Sequence, residues 1–291
     1  ARDIDLAIRG GFGWSMGPFE IWQAAGWKQV ADWITEDIAA GKAMTTTALP
    51  AWVADVQGVH TAKGSYSAAE YAYKPRSTLP VYQRQLYPEG VLGEAPHRYG
   101  ETVFENTGVR LWTTGDHIGV LSFKSKMHVI GDDVLDGVLE ALQIAEQQFD
   151  GLVLWQTEAP FSAGANLAQA VPVVMAGDWV TFENTVAKFQ HTTAALRYSA
   201  IPVVAAAQGL ALGGGCEFLM HCDRVVAALE SYIGLVEVGV GLIPAGGGCK
   251  EFALRAMNEA KGGDLLPFLR PYFEAMAMAK VSRSAEESKQ L

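Results

Sequence analysis

An α/β fold is what this 291-residue sequence predicts, and three features predict it. First, two β-branched runs, Val109 to Thr113 and Ile118 to Phe123, precede an amphipathic stretch from Asp132 to Gln148 and a third apolar run, Gly151 to Trp155. Strand, helix, strand and then a glycine loop is the order of a βαβ unit, whose ligand sites lie at the carboxyl ends of its strands. Second, a small-residue run from Pro202 to Ala207 leads to three consecutive glycines, Gly213 to Gly215, and then a short helical stretch, Cys216 to Met220. Third, two isolated carboxylates, Glu217 and Glu237, lie 20 positions apart among apolar residues and glycines. A packed core alone favours neither buried carboxylates nor clustered glycines.

Asp3 to Arg9 has helical apolar spacing. Gly17 and Pro18 then mark a turn and a helix start, and Gly26 marks its end. Gly13-Trp14-Ser15-Met16-Gly17 spells the GxSxG of serine hydrolases, but a nucleophile elbow needs a strand before it, and helix-like sequence precedes this one. No GxGxxG follows a strand, so a dinucleotide site is not expected. From 46 to 107 the chain carries Pro50, Pro75, Pro80, Pro88 and Pro96 with many tyrosines and no sustained period. It reads as a connector on the surface, with His60 and His97 exposed on it. After it come the elements named above, with Gly115-Asp116 as a hairpin turn and Asp132 as a helix N-cap. Asp178 to Tyr198 reads as a longer helix carrying His191, and Ala253 to Met257 as another. Glu217 and His221 are four apart on one helix face, but no third ligand accompanies them and a metal site is not expected.

Composition narrows the function. The net charge of −10 argues against nucleic acid as the principal partner. The longest charge-free run, Ala159 to Gly177, contains Pro160, Gly164, Asn166 and Pro172, so membrane insertion is not expected. Cys216, Cys222 and Cys249 form no CxxC and fit free thiols of a reducing, cytoplasmic compartment. The chain opens on Ala and closes on SAEESKQL, which reads as mid-helix, so a piece of a longer protein is expected.

The glycine turn has a chemical reading. If Gly213 to Gly215 open a helix, its first N–H groups are unpaired and favour negative charge. Glu217 would sit in that first turn. Donors beside a carboxylate are the elements of acyl-transfer or enolate chemistry. LALGGGCE, the later Glu in GLVEVGVGLIPAGGG, and FSAGANL at Phe161 to Leu167 together resemble the enoyl-CoA hydratase family, the crotonases. The resemblance covers roughly Gly108 onward and implies a crotonase-like domain, a ββα repeat spiral, over 108–291. Segment 1–45, through DIDLAIRGGFGWSMGPFEIWQAAG, is similar to the all-helical C-terminal domain of 3-hydroxyacyl-CoA dehydrogenases. That pairing implies a parent protein with both activities, in fatty-acid β-oxidation.

The hydratase resemblance implies two backbone oxyanion donors, the N–H of Ala165 and of Gly214, with Glu217 and Glu237 as the catalytic pair. It places Ala163, Gly164, Asn166, Leu167, Ala168, Gly213 and Gly215 around an acyl-CoA substrate, with Lys126 near its phosphate. Asn166 stands where the family commonly has Asp, and His128 where relatives often have Asn. No metal or redox cofactor is implied for this segment; NAD would belong to a dehydrogenase domain upstream. A homo-oligomer is also implied. Two alternatives stay open: a Δ3–Δ2 enoyl isomerase, which needs one proton-shuttling carboxylate, and an acyl-CoA-binding module without turnover.

Overall fold

A computed structural model of the chain describes residues 1–83, 85, 90–94 and 99–290. The chain divides into two compact units, Ala1–Arg98 and Tyr99–Leu291.

The first unit contains α1 (Arg2–Phe12), α2 (Pro18–Ala39), α3 (Trp52–Asp55), β1 (His60–Thr61), β2 (Gly64–Ser67), β3 (Ala72–Lys74) and α4 (Pro80–Gln83). Gly26 does break the helix that begins at Pro18, with φ 104°, but a second leg resumes beyond it. Ser15 of the GxSxG sequence is exposed and follows helix α1, so it has no nucleophile-elbow setting. The stretch expected to be a connector is organised differently. Strands β1, β2 and β3 form an antiparallel sheet, and Val53, Val56, Val59 and Tyr66 share a core with Trp27 of α2. The physical reason is aromatic packing, which has no sequence period. Trp22 stacks on Trp27 at 4.2 Å between ring centroids, Trp27 on Trp52 at 6.1 Å, and Trp52 on Tyr66 at 5.2 Å.

His60, expected on the surface, is buried at 2% exposure. Its Nε2 lies 2.6 Å from Asp5 Oδ2 and its Nδ1 2.8 Å from Ser65 Oγ. Ser65 Oγ in turn donates to Glu94 Oε1 at 2.7 Å, and Glu94 also pairs with Arg2 and Arg76. His97 lies outside the described residues.

The second unit is built on a six-stranded sheet in the order β4 (Glu101–Glu105), β5 (Val109–Thr113), β6 (Ile118–Phe123), β7 (Gly151–Trp155), β8 (Val203–Leu212) and β9 (Arg224–Gly234). Strands β4, β5 and β6 pair antiparallel, and β6 through β9 run parallel. Strands β5, β6 and β7 occupy the expected residues. The expected helix is α5 (Asp132–Gln148), capped by Gly131 rather than by Asp132, whose side chain makes no cap bond. Its Val134, Leu135, Val138, Ala141, Leu142 and Ala145 are buried in the main core with Leu121, Leu152 and Leu154 of the sheet. Helix α6 (Leu167–Met175), which contains Pro172, has no expected counterpart; α7 (Trp179–Arg197) follows, N-capped by the Asp178 side chain on Thr181 N–H. His191 is exposed on α7. Helices α8 (Gly214–Met220), α9 (Gly248–Ala260), α10 (Leu266–Ala277) and α11 (Ala285–Ser288) complete the unit. No helix among the described residues is long and apolar enough to cross a membrane.

Parallel pairing has one consequence for function. Leu154 is level with Ala205, and Leu212 with Gly234, so β7, β8 and β9 all leave the sheet through the same edge. Three loops therefore gather there, as expected for strands that all run one way.

In the first unit, Asp5 is bonded to His60 and also accepts the Phe19 N–H at 2.8 Å. Asp5→Ala should strip both groups of a buried partner and destabilise that unit by about 3–5 kcal/mol, the usual cost of breaking a buried pair from one side. Urea unfolding of the full chain measures this as a fall in the midpoint.

Candidate active site

The loop after β7 runs parallel to β8 as an extra extended segment. Phe161 N–H donates to Gln208 O at 2.9 Å, Ser162 N–H to Leu210 O at 3.0 Å, and Leu212 N–H to Ser162 O at 3.0 Å. On its other side Asn166 N–H donates to Ile130 O at 2.8 Å, and Ile130 N–H to Gly164 O at 2.8 Å. These bonds use the amides on either side of Ala165. The N–H of Ala165 itself, like that of Gly214, has no acceptor among the described residues.

The two free amides lie close together. A β-carbon added to Gly214 would stand 3.3 Å from the Ala165 nitrogen and 2.6 Å from Phe189 Cζ. Only glycine permits that approach. Gly214 is the first residue of α8, so its N–H is one the helix cannot use itself. Side chains also brace the loop: Ser162 Oγ donates to His128 O at 2.7 Å and accepts the Gly164 N–H at 3.1 Å.

Ala163, Gly164, Ala165, Leu167, Gly213, Gly214, Glu217 and Glu237 line one cavity of about 230 Å³. Thus eight of the residues singled out in the sequence meet in one place. The other four do not line it. Gly215 backs against Ser162, Asn166 caps α6, and Ala168 and Lys126 are exposed. Lys124, the other lysine of that loop, is taken by Glu105 at 2.9 Å and by Asn106 O at 2.6 Å. His128 and the preceding Met127 both have positive φ, 52° and 57°. That is a conformation Asn and His tolerate better than most residues.

Apolar residues complete the cavity. Phe182, Val186 and Phe189 come from α7, and Val236, Val240 and Leu242 from around the short 3₁₀ turn Glu237–Val240. Sequence reasoning did not connect α7 with the site; only its unbroken apolar face at Phe182, Val186 and Phe189 signals it.

The two carboxyls are held differently. Glu217 is 3% exposed, and its Oε1 accepts the Gly248 N–H at 2.9 Å. The second glycine triplet therefore supplies the donor, a role its sequence did not reveal. Burial raises the Glu217 pKa to about 7 against the pull of that N–H, and the charge of Glu237 adds to the rise. Glu237 has both carboxyl oxygens buried without a hydrogen-bond partner among the described residues. Burial raises its pKa too; the main-chain N–H groups of Val236 and of Glu237 itself pull the other way without forming well-aligned bonds. The Glu217–His221 pair meets through the main chain: the imidazole Nδ1 lies 2.7 Å from the Glu217 carbonyl oxygen. No cluster of three or more His, Cys, Asp or Glu side chains suited to a metal occurs among the described residues.

A family model for enoyl-CoA hydratase/isomerase matches residues 115–266, just over half of the chain. The chain belongs to the enoyl-CoA hydratase/isomerase family. The chain is also 35% identical over 294 aligned positions to a probable 3-hydroxyacyl-CoA dehydrogenase of Bacillus subtilis, covering 99% of this chain and 35% of that protein. It is 28% identical to a putative fatty acid oxidation complex trifunctional enzyme of Rickettsia felis, over 88% of this chain and 32% of that one. The chain thus spans about a third of the length of these curated relatives. The crystal structure of an enoyl-CoA hydratase from Bacillus anthracis superposes with a TM-score of 0.54 at 21% identity, over 63% of this chain and 67% of that one. At that identity the likeness establishes the fold. The crotonase-like α/β fold expected from the glycine motifs is the fold of the second unit.

A pH dependence of stability follows from Glu217. Its folded pKa of about 7 exceeds the ordinary 4.5, so between those values the folded chain binds a proton the unfolded chain has released. Its contribution is complete below pH 4.5 and is lost as the pH rises through about 7. Glu217→Gln should remove this dependence and gain on wild type by roughly 3 kcal/mol above that window, at 1.36 kcal/mol per unit. Urea midpoints of both proteins at pH 5 and at pH 8 measure the difference.

Proposed function

We infer that the site hydrates trans-2-enoyl-CoA to 3-hydroxyacyl-CoA. One observation carries the reading: two buried carboxyls and two unused main-chain N–H groups share one apolar cavity. An isomerase site would need only one of the acids.

The N–H groups of Ala165 and Gly214 receive the thioester carbonyl oxygen. Negative charge gathers there as water attacks the β-carbon, and fixed donors stabilise it without reorganising. Glu237, whose carboxyl oxygens have no well-aligned partner among the described residues, takes the proton from the attacking water. The hydroxyl adds to the β-carbon. Glu217, with its pKa raised to about 7 and so part-protonated near neutral pH, orients the water and gives its proton to the α-carbon. A proton passed from Glu237 back to Glu217 restores the starting state, so the cycle consumes only water and enoyl thioester. Phe182, Val186 and Phe189 enclose the acyl chain and keep bulk water out, which strengthens each electrostatic contact. Lys126, exposed beside the cavity loop, meets a phosphate of CoA, while Asn166, Ala168 and Gly215 shape the loops from behind.

The reaction as drawn uses no metal and no redox cofactor. The similarity to a probable 3-hydroxyacyl-CoA dehydrogenase and to putative fatty acid oxidation enzymes supports a place beside a dehydrogenase that consumes the 3-hydroxyacyl product, in fatty-acid β-oxidation. NAD would serve that dehydrogenase, in the cytoplasm, and the hydratase unit would assemble as a homo-oligomer.

Adding the protein to crotonyl-CoA should abolish the ultraviolet absorbance of the conjugated enoyl thioester. Glu237→Gln and Glu217→Gln should each slow that loss by roughly 10²–10⁴-fold. Binding of the thioester without loss of absorbance in the wild type would overturn the reading in favour of a non-catalytic acyl-CoA module.

A further inference from the structure

Next to Glu217 lies a charge cluster that the proposed reaction does not use, in which His221 and Glu251 are buried and Lys250 and Arg197 are partly exposed. His221 is fully buried and closes the C-terminal end of α8. A carbonyl can only accept, so its contact with the Glu217 carbonyl oxygen at 2.7 Å puts the proton on Nδ1. Nε2 is then the acceptor for the Lys250 ammonium at 3.1 Å. Lys250 lies in the first turn of α9 and also faces Glu251 Oε1 at 3.2 Å. Glu251 is 1% exposed, its Oε2 pairs with Arg197 of α7 at 2.8 Å, and its Oε1 lies 3.5 Å from His221 Nε2.

The imidazole also touches the loop that holds the Glu217 side chain. A β-carbon on Gly247 would collide with His221 Cε1 and stand 2.7 Å from Nε2. Gly247, at φ 131°, is thus bare where the ring packs beneath it. The next residue, Gly248, gives its N–H to the Glu217 carboxylate. One ring therefore bonds the main chain of Glu217 and supports the loop that receives its side chain.

We propose that His221 is a positioning residue for Glu217, fixing the register between the end of α8 and the Gly246–Gly248 loop so that the carboxyl meets its N–H donors. The proposal rests on the hydratase reading for its effect on rate, but not for its effect on Glu217 itself. The groups facing the imidazole are Lys250 and Glu251 from α9 and Arg197 from α7; those facing the Glu217 carboxyl are Glu237 and the Cys216 and Cys249 thiols. Burial, reinforced by the Lys250 ammonium, holds the His221 pKa below the ordinary imidazole value, and the ring acts as a neutral strut.

His221→Phe keeps a ring of neutral charge and removes both polar contacts. Because the charge does not change, any movement of the Glu217 titration reports lost donors. Following the carboxyl carbon of Glu217 by NMR against pH in the ¹³C-glutamate-labelled chain, with Glu217→Gln to assign the signal, the midpoint should rise by about one unit, because weaker donation disfavours the carboxylate. His221→Asn keeps a donor at the Nδ1 position and suits a helix end, so it should return the midpoint to near the wild-type value. Should the Phe variant fail to fold, His221→Leu removes the same donor without the ring and reads the same shift. In crotonyl-CoA hydration, His221→Phe should lower kcat by roughly 10- to 100-fold with KM little changed, as for a small misplacement of a catalytic group. An unmoved Glu217 midpoint in a folded Phe or Leu variant overturns the proposal. Midpoint shifts in the His221 variants together with a wild-type chain that hydrates nothing overturn the hydratase reading and leave the positioning role standing.

Discussion

Keeping two carboxyls out of water in one apolar cavity is the constraint around which the second unit is arranged. Each buried carboxylate costs several kcal/mol unless something answers its charge. Glu217 and Glu237 share the cavity, so ionising one makes the other harder to ionise. No lysine or arginine forms an ion pair with either acid among the described residues. The chain's answer is partial and uses main chain: a glycine N–H for Glu217, nothing well aligned for Glu237. The remaining cost is carried by the aliphatic core between α5 and the sheet, where Val134, Val138, Leu121 and Leu154 are wholly buried.

The same economy governs the donors that the proposed reaction uses. Side chains that carry N–H groups are flexible, and fixing them costs rotamer entropy. Main-chain N–H groups cost nothing further once the strands are paired. The segment Phe161 to Asn166 is clamped between β8 on one side and Ile130 on the other, and among the described residues the amide N–H of Ala165 is left over. The first N–H of α8 is left over for a different reason, the geometry of helix starts. Parallel strands of matched register bring these two leftovers together.

How far the sequence discloses this depends on the kind of signal. Strands β5, β6 and β7 and helix α5 are legible to the residue because alternation and 3.6-residue spacing are local properties. The first glycine triplet and the two glutamates are legible because such residues are costly in an apolar setting. The core of the first unit is not, since Trp27 meets Trp52 and Trp52 meets Tyr66 across sequence separations without a period, and the prolines around it imitate a linker. For the same reason His60 reads as a surface residue although Asp5 binds it from 55 positions away. The N–H that Gly248 gives to Glu217 spans 31 positions, and no spacing rule discloses that. In Glu217 and His221 the spacing of four is visible, but whether the ring meets the carboxylate or the carbonyl is decided by where α8 ends.

The difference between the two acids then follows from what each loop could offer. Glu237 sits in a single 3₁₀ turn, too short to point several N–H groups at its own side chain. Glu217 sits in α8, and the start of a second helix, α9, is folded against it. A helix start presents N–H groups in the direction that favours negative charge, so the α9 start can hold an anion on Glu217 without neutralising it. An acid so held titrates near neutrality instead of remaining protonated throughout, and it can pass a proton in either direction. Glu237, whose carboxyl oxygens meet no well-aligned donor among the described residues, keeps them open to a water molecule. In the proposed hydration, what each carboxyl does with its proton is therefore set by which helix starts lie within reach, before any substrate arrives.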